Sequence, residues 1–185
     1  HYQTEGKGQR GKSWVMDAGM NLSFSLIIRV DFLKPLQAIH LLTTVAVTVH
    51  QIIAAEIGDE ASIKWPNDLF WGDRKTGGIL IENVFRGNEW PWAVIGIGLN
   101  LNQTSFPEFL NKAVSLKQIT GKHYKVTELA TAIQAALLHA VDELKLNGFE
   151  PFYHAYNSKL FKKGELVKLK KGSRVFETII NHVNK

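Results

Sequence analysis

GILIENVFRGNEWPWAVIGIGL, residues 78–99, is the stretch of sequence that decides the fold. Its two apolar runs, 78–85 and 92–99, have the length and residue types of β-strands, and the segment Arg86-Gly87-Asn88-Glu89 between them favours a tight turn. Strands joined in this way lie side by side and run antiparallel. The sequence therefore predicts an antiparallel hairpin.

The segments that flank this hairpin alternate between strand and helix patterns. Residues 21–32 alternate with a period of two, and residues 61–65 read as a short strand that ends at Pro66. Residues 35–58 instead repeat apolar side chains at helical spacing. A second long helix is predicted from Thr127 to Asn147-Gly148, and Pro151 opens a shorter, aromatic-rich one. This pattern indicates an α+β fold around a mixed or antiparallel sheet flanked by helices.

The character of the chain changes at Phe161. Lysines and glycines there separate short β-type runs, 165–169 and 175–180. About 20 residues are too few for a β-domain that is stable alone. We therefore expect residues 1–160 to form the main domain and residues 161–185 to form the start of a small β-domain.

Composition limits the classes of function. The 185 residues are 45% hydrophobic and 21% charged, which is ordinary for a soluble globular domain. No uninterrupted apolar run reaches the length of a membrane span. The absence of cysteine excludes disulfides, thiolate metal sites and cysteine nucleophiles, and it fits a reducing compartment. The net charge of +5 permits an acidic ligand without indicating nucleic acid, and the histidines show no metal-binding spacing.

Residues 6–14, GKGQRGKSW, combine three glycines with three cations and end on Trp14. Glycine allows close approach of the backbone, and successive N–H groups can form an anion nest. Lys7, Arg10 and Lys12 add full charges, and the indole offers a flat face for a ring such as a nucleobase. Such a segment can close over an anionic ligand. A solvated basic loop has the same composition and remains the alternative at this point.

Four motifs, in order along the chain, resemble the signatures of biotin protein ligases. They are QTEGKGQRGKSW (3–14), KWPNDL (64–69), DRKTGGIL (73–80) and GIGLN (96–100). The resemblance implies a class II synthetase-like core in which residues 1–160 form the catalytic domain that binds biotin and ATP. Residues 161–185 would then begin an SH3-like C-terminal β-barrel. Because the family's upstream Ser-Thr-Asn segment is absent, we expect a chain truncated at its N-terminus. The short β-type tail implies that it also stops within the barrel.

The same resemblance implies a reaction. The enzyme would activate biotin as biotinyl-5′-AMP and transfer it to a specific lysine of a biotin carboxyl carrier protein, in acetyl-CoA carboxylase or a related carboxylase. Both reactants of the first step are anions, so cations must offset their repulsion, and Mg²⁺ accompanies the ATP. The implied location is the cytoplasm. A homodimer formed edge to edge is left open, as is a DNA-binding module before Gln3, and no membrane or nucleic acid is indicated.

The resemblance also assigns the site residues. Lys75 is the central cation, expected in a turn before a glycine pair, where it contacts the biotin carboxylate and the α-phosphate; Arg10 is the second catalytic position. The positions for biotin are Gln3, Gly6, Lys7, Gly8, Gln9, Lys75 and Gly78. The positions for ATP or the adenylate are Gln9, Arg10, Lys12, Trp14, Asn67, Asp68, Lys75 and Asn100. Trp14 is expected to stack on adenine, and Gly96 and Gly98 to clear space for the ligand.

One position departs from the pattern. Gln9 stands where many family members carry arginine, and a neutral amide removes a unit charge near the intermediate's phosphate. We hypothesise weaker retention of biotinyl-adenylate than in arginine-bearing relatives. Two alternatives remain for the whole chain: a lipoate ligase or octanoyl transferase, which lacks the first two motifs, and a non-catalytic module that senses biotin or a nucleotide.

Overall fold

The computed structural model describes residue 3 and residues 5–184, except for the side chains of Arg10 and Lys171. The strands are β1 (Gly6–Lys7), β2 (Ser13–Trp14), β3 (Leu22–Arg29), β4 (Ala61–Lys64), β5 (Asp68–Trp71), β6 (Arg74–Arg86), β7 (Glu89–Leu99), β8 (Leu166–Lys171) and β9 (Arg174–Ile179). The helices are α1 (Ala38–Ile57), α2 (Leu116–Thr120), α3 (Val126–Asn147) and α4 (Glu150–Ser158). The predicted α+β fold is confirmed.

A five-stranded sheet in the order β3-β7-β6-β5-β4 forms the centre of the structure. Each of its four strand pairs is antiparallel, so the sheet is antiparallel rather than mixed. The predicted hairpin is β6–β7, in which Arg86 pairs with Glu89 around Gly87 and Asn88. Gly87 adopts a φ of +60°, which the tight turn requires. Strand β6 begins earlier than predicted, at Arg74.

The predicted long helices are present, with small shifts at their ends. A 3₁₀ turn, Pro35–Gln37, leads into α1, and α3 begins at Val126. Pro151 lies in the first turn of α4, as predicted. Strand β5 and helix α2 were not predicted, because four or five residues are too few to display a period.

The helices pack on one face of the sheet and leave the other face open. Helix α1 packs on β4 and β5, α3 packs on β3, and the two helices pack against each other. The odd-numbered residues of β7 from Ala93 to Leu99 face these helices and are almost fully buried. The even-numbered residues therefore face the opposite side, where Gly96 and Gly98 lie.

Helix α1 is the central element of the core. In the described part of the chain, the segment 35–57 is the one stretch long and apolar enough to cross a membrane. Its threonines and histidines interrupt the apolar run, which is why the sequence showed no span. In this fold Leu41, Val45, Val49 and Ile53 are each 0% exposed, because they are packed inside the protein.

Strands β8 and β9 form a separate antiparallel hairpin after α4. The backbone N–H of Gly164 donates to the Ile180 carbonyl at 2.8 Å, which closes its base. The segment that follows returns to α4, where the Val183 N–H donates to Asn157 Oδ1 at 2.7 Å. The hairpin is therefore tied to the main body at its exit.

Candidate functional site

A cleft of about 680 Å³ lies over the face of the sheet opposite the helices. Its walls are the β1–β2 hairpin, the turn at residues 65–67 and the loop after β7. All of the predicted site residues with described side chains except Gly6 line it: Gln3, Lys7, Gly8, Gln9, Lys12, Trp14, Asn67, Asp68, Lys75, Gly78 and Asn100. The Arg10 side chain lies outside the described part. The four motifs therefore converge on one cavity.

The glycine-rich segment is a short hairpin rather than an irregular loop. Gly6 pairs with Trp14 and Lys7 with Ser13 around a 3₁₀ turn. A Cβ on Gly6 would lie 2.3 Å from the Trp14 carbonyl oxygen, so only glycine fits this pairing. Gly6 thus shapes the hairpin from outside the cleft lining. Lys7 and Lys12 are exposed on the hairpin, available to a ligand.

Lys75 and Asp68 form an ion pair in the cleft. The Lys75 Nζ lies 2.5 Å from Asp68 Oδ1, and the two side chains are 34% and 32% exposed. The same ammonium group lies 5.9 Å from the centre of the Trp14 ring. A cation, its counterion and an aromatic face are therefore adjacent in the cleft.

A bulge in β6 turns Lys75 toward the cleft. Lys75 lies on strand β6, not in the predicted turn. If side chains alternated strictly along β6, Lys75 would lie with Gly77 and Ile79 on the sheet face that the helices cover. The register with β5 shifts so that Leu69 pairs with Gly77 but Phe70 with Lys75, which leaves Thr76 as the extra residue. The shift puts Lys75 on the same face as Asp68.

The backbone of Lys75 is held on its outer side by the loop after β7. Its N–H donates to the Lys112 carbonyl at 2.7 Å, and its carbonyl accepts from the Val114 N–H at 2.9 Å. Asn100 Nδ2 also donates to this carbonyl, at 3.3 Å. Because the backbone of Lys75 is held by these three hydrogen bonds, it loses little conformational freedom when a ligand binds.

The two adjacent glycines of β6, Gly77 and Gly78, have different structural roles. A Cβ on Gly78 would lie 3.4 Å from Lys75 Nζ and 3.3 Å from Asp68 Oδ1, so this glycine makes room for the ion pair. A Cβ on Gly77 would lie 2.7 Å from the Gly98 carbonyl oxygen, on the other face of the sheet. Gly78 lines the cleft, and its role in binding biotin stays a prediction.

Two buried asparagines, Asn67 and Asn100, hold the cleft wall together. Asn67 Nδ2 donates to the Ile79 carbonyl, and the Ile79 N–H donates to the Asn67 carbonyl at 2.9 Å. Asn100 uses its amide group on the carbonyls of Lys75 and Val114. Both asparagines line the cleft, but their NH₂ groups are engaged by the protein backbone.

Tyr156 fixes the turn that closes one side of the cleft. Its hydroxyl donates to the Pro66 carbonyl at 2.8 Å, and the residue is 0% exposed. Burial raises the pKa of Tyr156 above its usual value, so the phenol stays neutral. The adjacent Trp65–Pro66 peptide bond is cis.

Several cleft residues were not predicted from the sequence. Ser23 and Ser25 occupy the open face of β3, and the Ser23 hydroxyl donates to Gln3 Oε1 at 2.6 Å. Their alternation with apolar residues was the available signal. Phe106 and Leu110 reach the cleft from the loop after β7. No local pattern marks them, because a loop brings them there.

The described residues include no group of three histidine or acidic side chains placed to hold a metal ion. Glu5, Asp68 and Glu82 are the carboxylates that line the cleft, and Asp68 is paired with Lys75.

The sequence profile of the biotin/lipoate A/B protein ligase family matches residues 1–100, which is more than half of the chain. The chain belongs to this family. It is 41% identical over 124 residues to the bifunctional ligase/repressor BirA of Bacillus spizizenii, covering 65% of this chain and 38% of that protein. It is 28% identical over 177 residues to a biotin–[acetyl-CoA-carboxylase] ligase of Paracoccus denitrificans, covering 92% of this chain and 73% of that enzyme.

The solved structures agree with this membership. The biotin protein ligase of Aquifex aeolicus, in complex with biotin and ATP, matches with a TM-score of 0.81 and 26% identity, over 98% of this chain and 75% of that one. The fold is that of a biotin protein ligase catalytic domain, which confirms the resemblance noted in the sequence. The chain spans 38% and 47% of the BirA proteins of Bacillus spizizenii and Escherichia coli.

Proposed function

We propose that this chain is an ATP-dependent biotin ligase. It forms biotinyl-5′-AMP from biotin and MgATP, and it transfers the biotinyl group to a specific lysine of a biotin carboxyl carrier protein. The observation that carries the proposal is the Lys75 ammonium group, which lies beside Asp68 and Trp14 in a cleft whose rim bears Lys7 and Lys12.

In the first step the biotin carboxylate attacks the α-phosphorus of ATP. A bond forms between the carboxylate oxygen and phosphorus, the bond to the β-phosphate oxygen breaks, and pyrophosphate leaves. Lys75 would lie between the two anions and offset the charge that develops on the α-phosphate. Arg10 would act beside Lys75 on the reacting phosphate, Lys12 would hold the outer phosphates, and Gln3, Lys7 and Gln9 would contact biotin.

In the second step the acceptor lysine attacks the carbonyl carbon of the anhydride. An amide bond forms, the carbon–oxygen bond to the phosphate breaks, and AMP leaves with that oxygen. The attacking amine must first lose a proton. We assign the Asp68 carboxylate as the group that accepts this proton, because it lies in the cleft beside Lys75 and is one-third exposed.

The proposal extends to the domains and the partner. Residues 1–160 would be the catalytic domain and residues 161–185, with the hairpin β8–β9, the start of the small barrel. The carrier would belong to acetyl-CoA carboxylase or a related carboxylase, and the reaction would take place in the cytoplasm. These assignments rest on the relatives' names, on the separate pairing of β8 with β9 and on the cysteine-free composition. An edge-to-edge homodimer stays a prediction.

Calorimetry with biotin, lipoate and MgATP tests the substrate class, and release of pyrophosphate tests turnover. We expect biotin to bind, MgATP to bind more tightly in its presence, and pyrophosphate to appear only when both are present. Mass spectrometry of an added biotin carrier domain should then show one biotinyl group.

Each alternative has its own outcome. Preference for lipoate would contradict the biotin assignment and favour a lipoate ligase. Binding of biotin and nucleotide without pyrophosphate release or carrier modification would contradict catalysis and favour a sensor.

A further inference from the structure

We infer that Gly98 is a positioning residue for the nucleotide, because the Trp14 ring packs into the space that a side chain at position 98 would fill. We call this space the seat of Trp14. The inference rests on the proposed function and deepens it. Gly98 lies on β7, next to the centre of the sheet, with its open side toward the cleft. Its effect on the nucleotide would pass entirely through Trp14.

The contact between the two residues leaves no room for a methyl group. A Cβ built on Gly98 would lie 2.5 Å from Cε2, 2.7 Å from Cζ2 and 3.0 Å from Cδ2 of Trp14. Cβ atoms essentially never approach other heavy atoms closer than 3.0 Å. The indole therefore rests on the peptide backbone, and an alanine at position 98 has to lift or tilt it.

The seat of Trp14 adjoins the space that holds the reactive cation. Gly98 pairs directly with Gly78, whose own empty side is filled by Lys75 and Asp68. Two paired glycines thus place an aromatic face and an ammonium group side by side, 5.9 Å apart. A nucleotide has the complementary arrangement, because its ribose joins a flat base, which can stack on the ring, to an anionic phosphate, which can pair with the ammonium group. The depth of the ring in its seat therefore sets where the base lies relative to Lys75.

Shape rather than hydrogen bonding holds the ring. Trp14 Nε1 is buried and has no hydrogen-bond partner within the described part of the chain. The backbone of Trp14 pairs with Gly6 in the hairpin, so rotation about the side-chain bonds is the simplest response of the ring to a change at Gly98. Among the described residues, no hydrogen bond of the indole opposes that rotation.

Gly96 provides the matched control. It lies two residues earlier on the same face of β7, but a Cβ there would meet its nearest atom, the Leu80 carbonyl oxygen, at 3.5 Å. That is an ordinary van der Waals distance. Gly96→Ala thus adds the same methyl group to the same strand without touching Trp14.

The first test follows the Trp14 ring directly. The chain has five tryptophans, so a ¹H–¹⁵N spectrum contains five indole signals, and Trp14→Ala identifies one of them. We expect Gly98→Ala to move the Trp14 signal and Gly96→Ala to leave it in place. Gly98→Ala should also lower the unfolding midpoint in the wild-type background and much less so in Trp14→Ala. An unmoved signal, or an equal loss in both backgrounds, would overturn the inference.

The second test separates the nucleotide from biotin. We expect Gly98→Ala to raise the KM for ATP about tenfold, in line with the loss of base stacking, while the KM for biotin stays within about twofold. An equal rise in both KM values, or in neither, would overturn the inference alone. Failure of the wild-type protein to bind ATP would instead overturn the proposed function together with this role for Gly98.

Discussion

Lys75 is the residue on which the proposed chemistry depends most. Replacing it with Met keeps most of the side-chain stem but removes the charge. We expect adenylate formation to fall by about 10²–10³, the usual loss when one transition-state donor is removed. Pyrophosphate release with saturating biotin and ATP measures the loss.

Lys122→Met is the control for this substitution. Lys122 forms an ion pair with Glu56 at 3.5 Å on the surface, away from the cleft. This variant should retain wild-type turnover. Equal turnover in Lys75→Met and the wild type would remove the central cation from the mechanism.

Gln9 tests how charge on the hairpin affects the intermediate. The side chain lines the cleft and is half-buried. An arginine there would add a charge-assisted hydrogen bond to the phosphate, so we expect Gln9→Arg to slow dissociation of biotinyl-adenylate about tenfold. A filter-binding chase with unlabelled biotin and ATP measures the rate. An unchanged rate would contradict the hypothesis that Gln9 weakens retention.

Strand β6 carries two adjacent glycines whose substitution should have different effects. Gly77→Ala drives a methyl group into the Gly98 carbonyl and the Leu99 side chain, and we expect it to destabilise the fold by about 1–3 kcal/mol. Gly78→Ala meets only the movable ends of Lys75 and Asp68. It should keep the stability and lower adenylate formation about tenfold.

Urea unfolding and pyrophosphate release distinguish these two effects. The reverse pattern, with Gly78→Ala unfolded and Gly77→Ala stable but inactive, would show that the two faces of β6 have been assigned wrongly.

Helix α1 is tied to β4 through a buried histidine. His50 is 3% exposed, and its Nε2–H donates to the Ala61 carbonyl at 3.0 Å. Burial lowers the pKa of His50 below 6.5, and nearby Lys159 lowers it further. The unfolded chain therefore binds a proton that the folded chain does not, so stability is lost as the pH falls below about 6.5.

We expect His50→Gln to reduce that loss, which amounts to at most about 1.4 kcal/mol per pH unit. The exposed His139, changed to Gln, is the control and should leave the slope unaltered. Urea unfolding between pH 7 and about pH 5 measures it. A wild-type slope in His50→Gln would contradict the assignment.

Elements with a sustained period could be predicted from the sequence, and those set by register could not. The hairpin 78–99 and the long helices show clear patterns over many residues. The bulge at Thr76 shows none, because it depends on how β6 pairs with β5. The prediction that Lys75 lies in a turn was therefore wrong, although Lys75 itself was identified. The ion pair with Asp68 and the seat of Trp14 on Gly98 also depend on pairing between distant segments.

At the scale of the whole molecule, the C-terminal hairpin is held by a small set of polar contacts. Asn157, which is 8% exposed, receives the Val183 N–H at 2.7 Å. We expect Asn157→Ala to release this segment and speed amide exchange of Val183 and of β8–β9, while exchange in β6–β7 stays slow. Hydrogen exchange measured by NMR tests this.

Asn147→Ala serves as the control for loss of the Asn157–Val183 hydrogen bond. Asn147 forms its hydrogen bond with Glu143 on the surface, at 2.6 Å, so its loss should leave the hairpin unaffected. Faster exchange throughout the five-stranded sheet in Asn157→Ala would contradict a local role for this hydrogen bond. It would indicate that the C-terminal hairpin and the main body unfold as one unit.

The complex with a hydrolysis-resistant analogue of biotinyl-5′-AMP is the measurement that tests the central claim most directly. The account predicts that Lys75 leaves Asp68 and that its Nζ lies about 3 Å from the oxygens joining the acyl group to phosphorus, with the base stacked on Trp14. An analogue bound with its acyl phosphate remote from Lys75, and the Lys75–Asp68 pair unchanged, would contradict it.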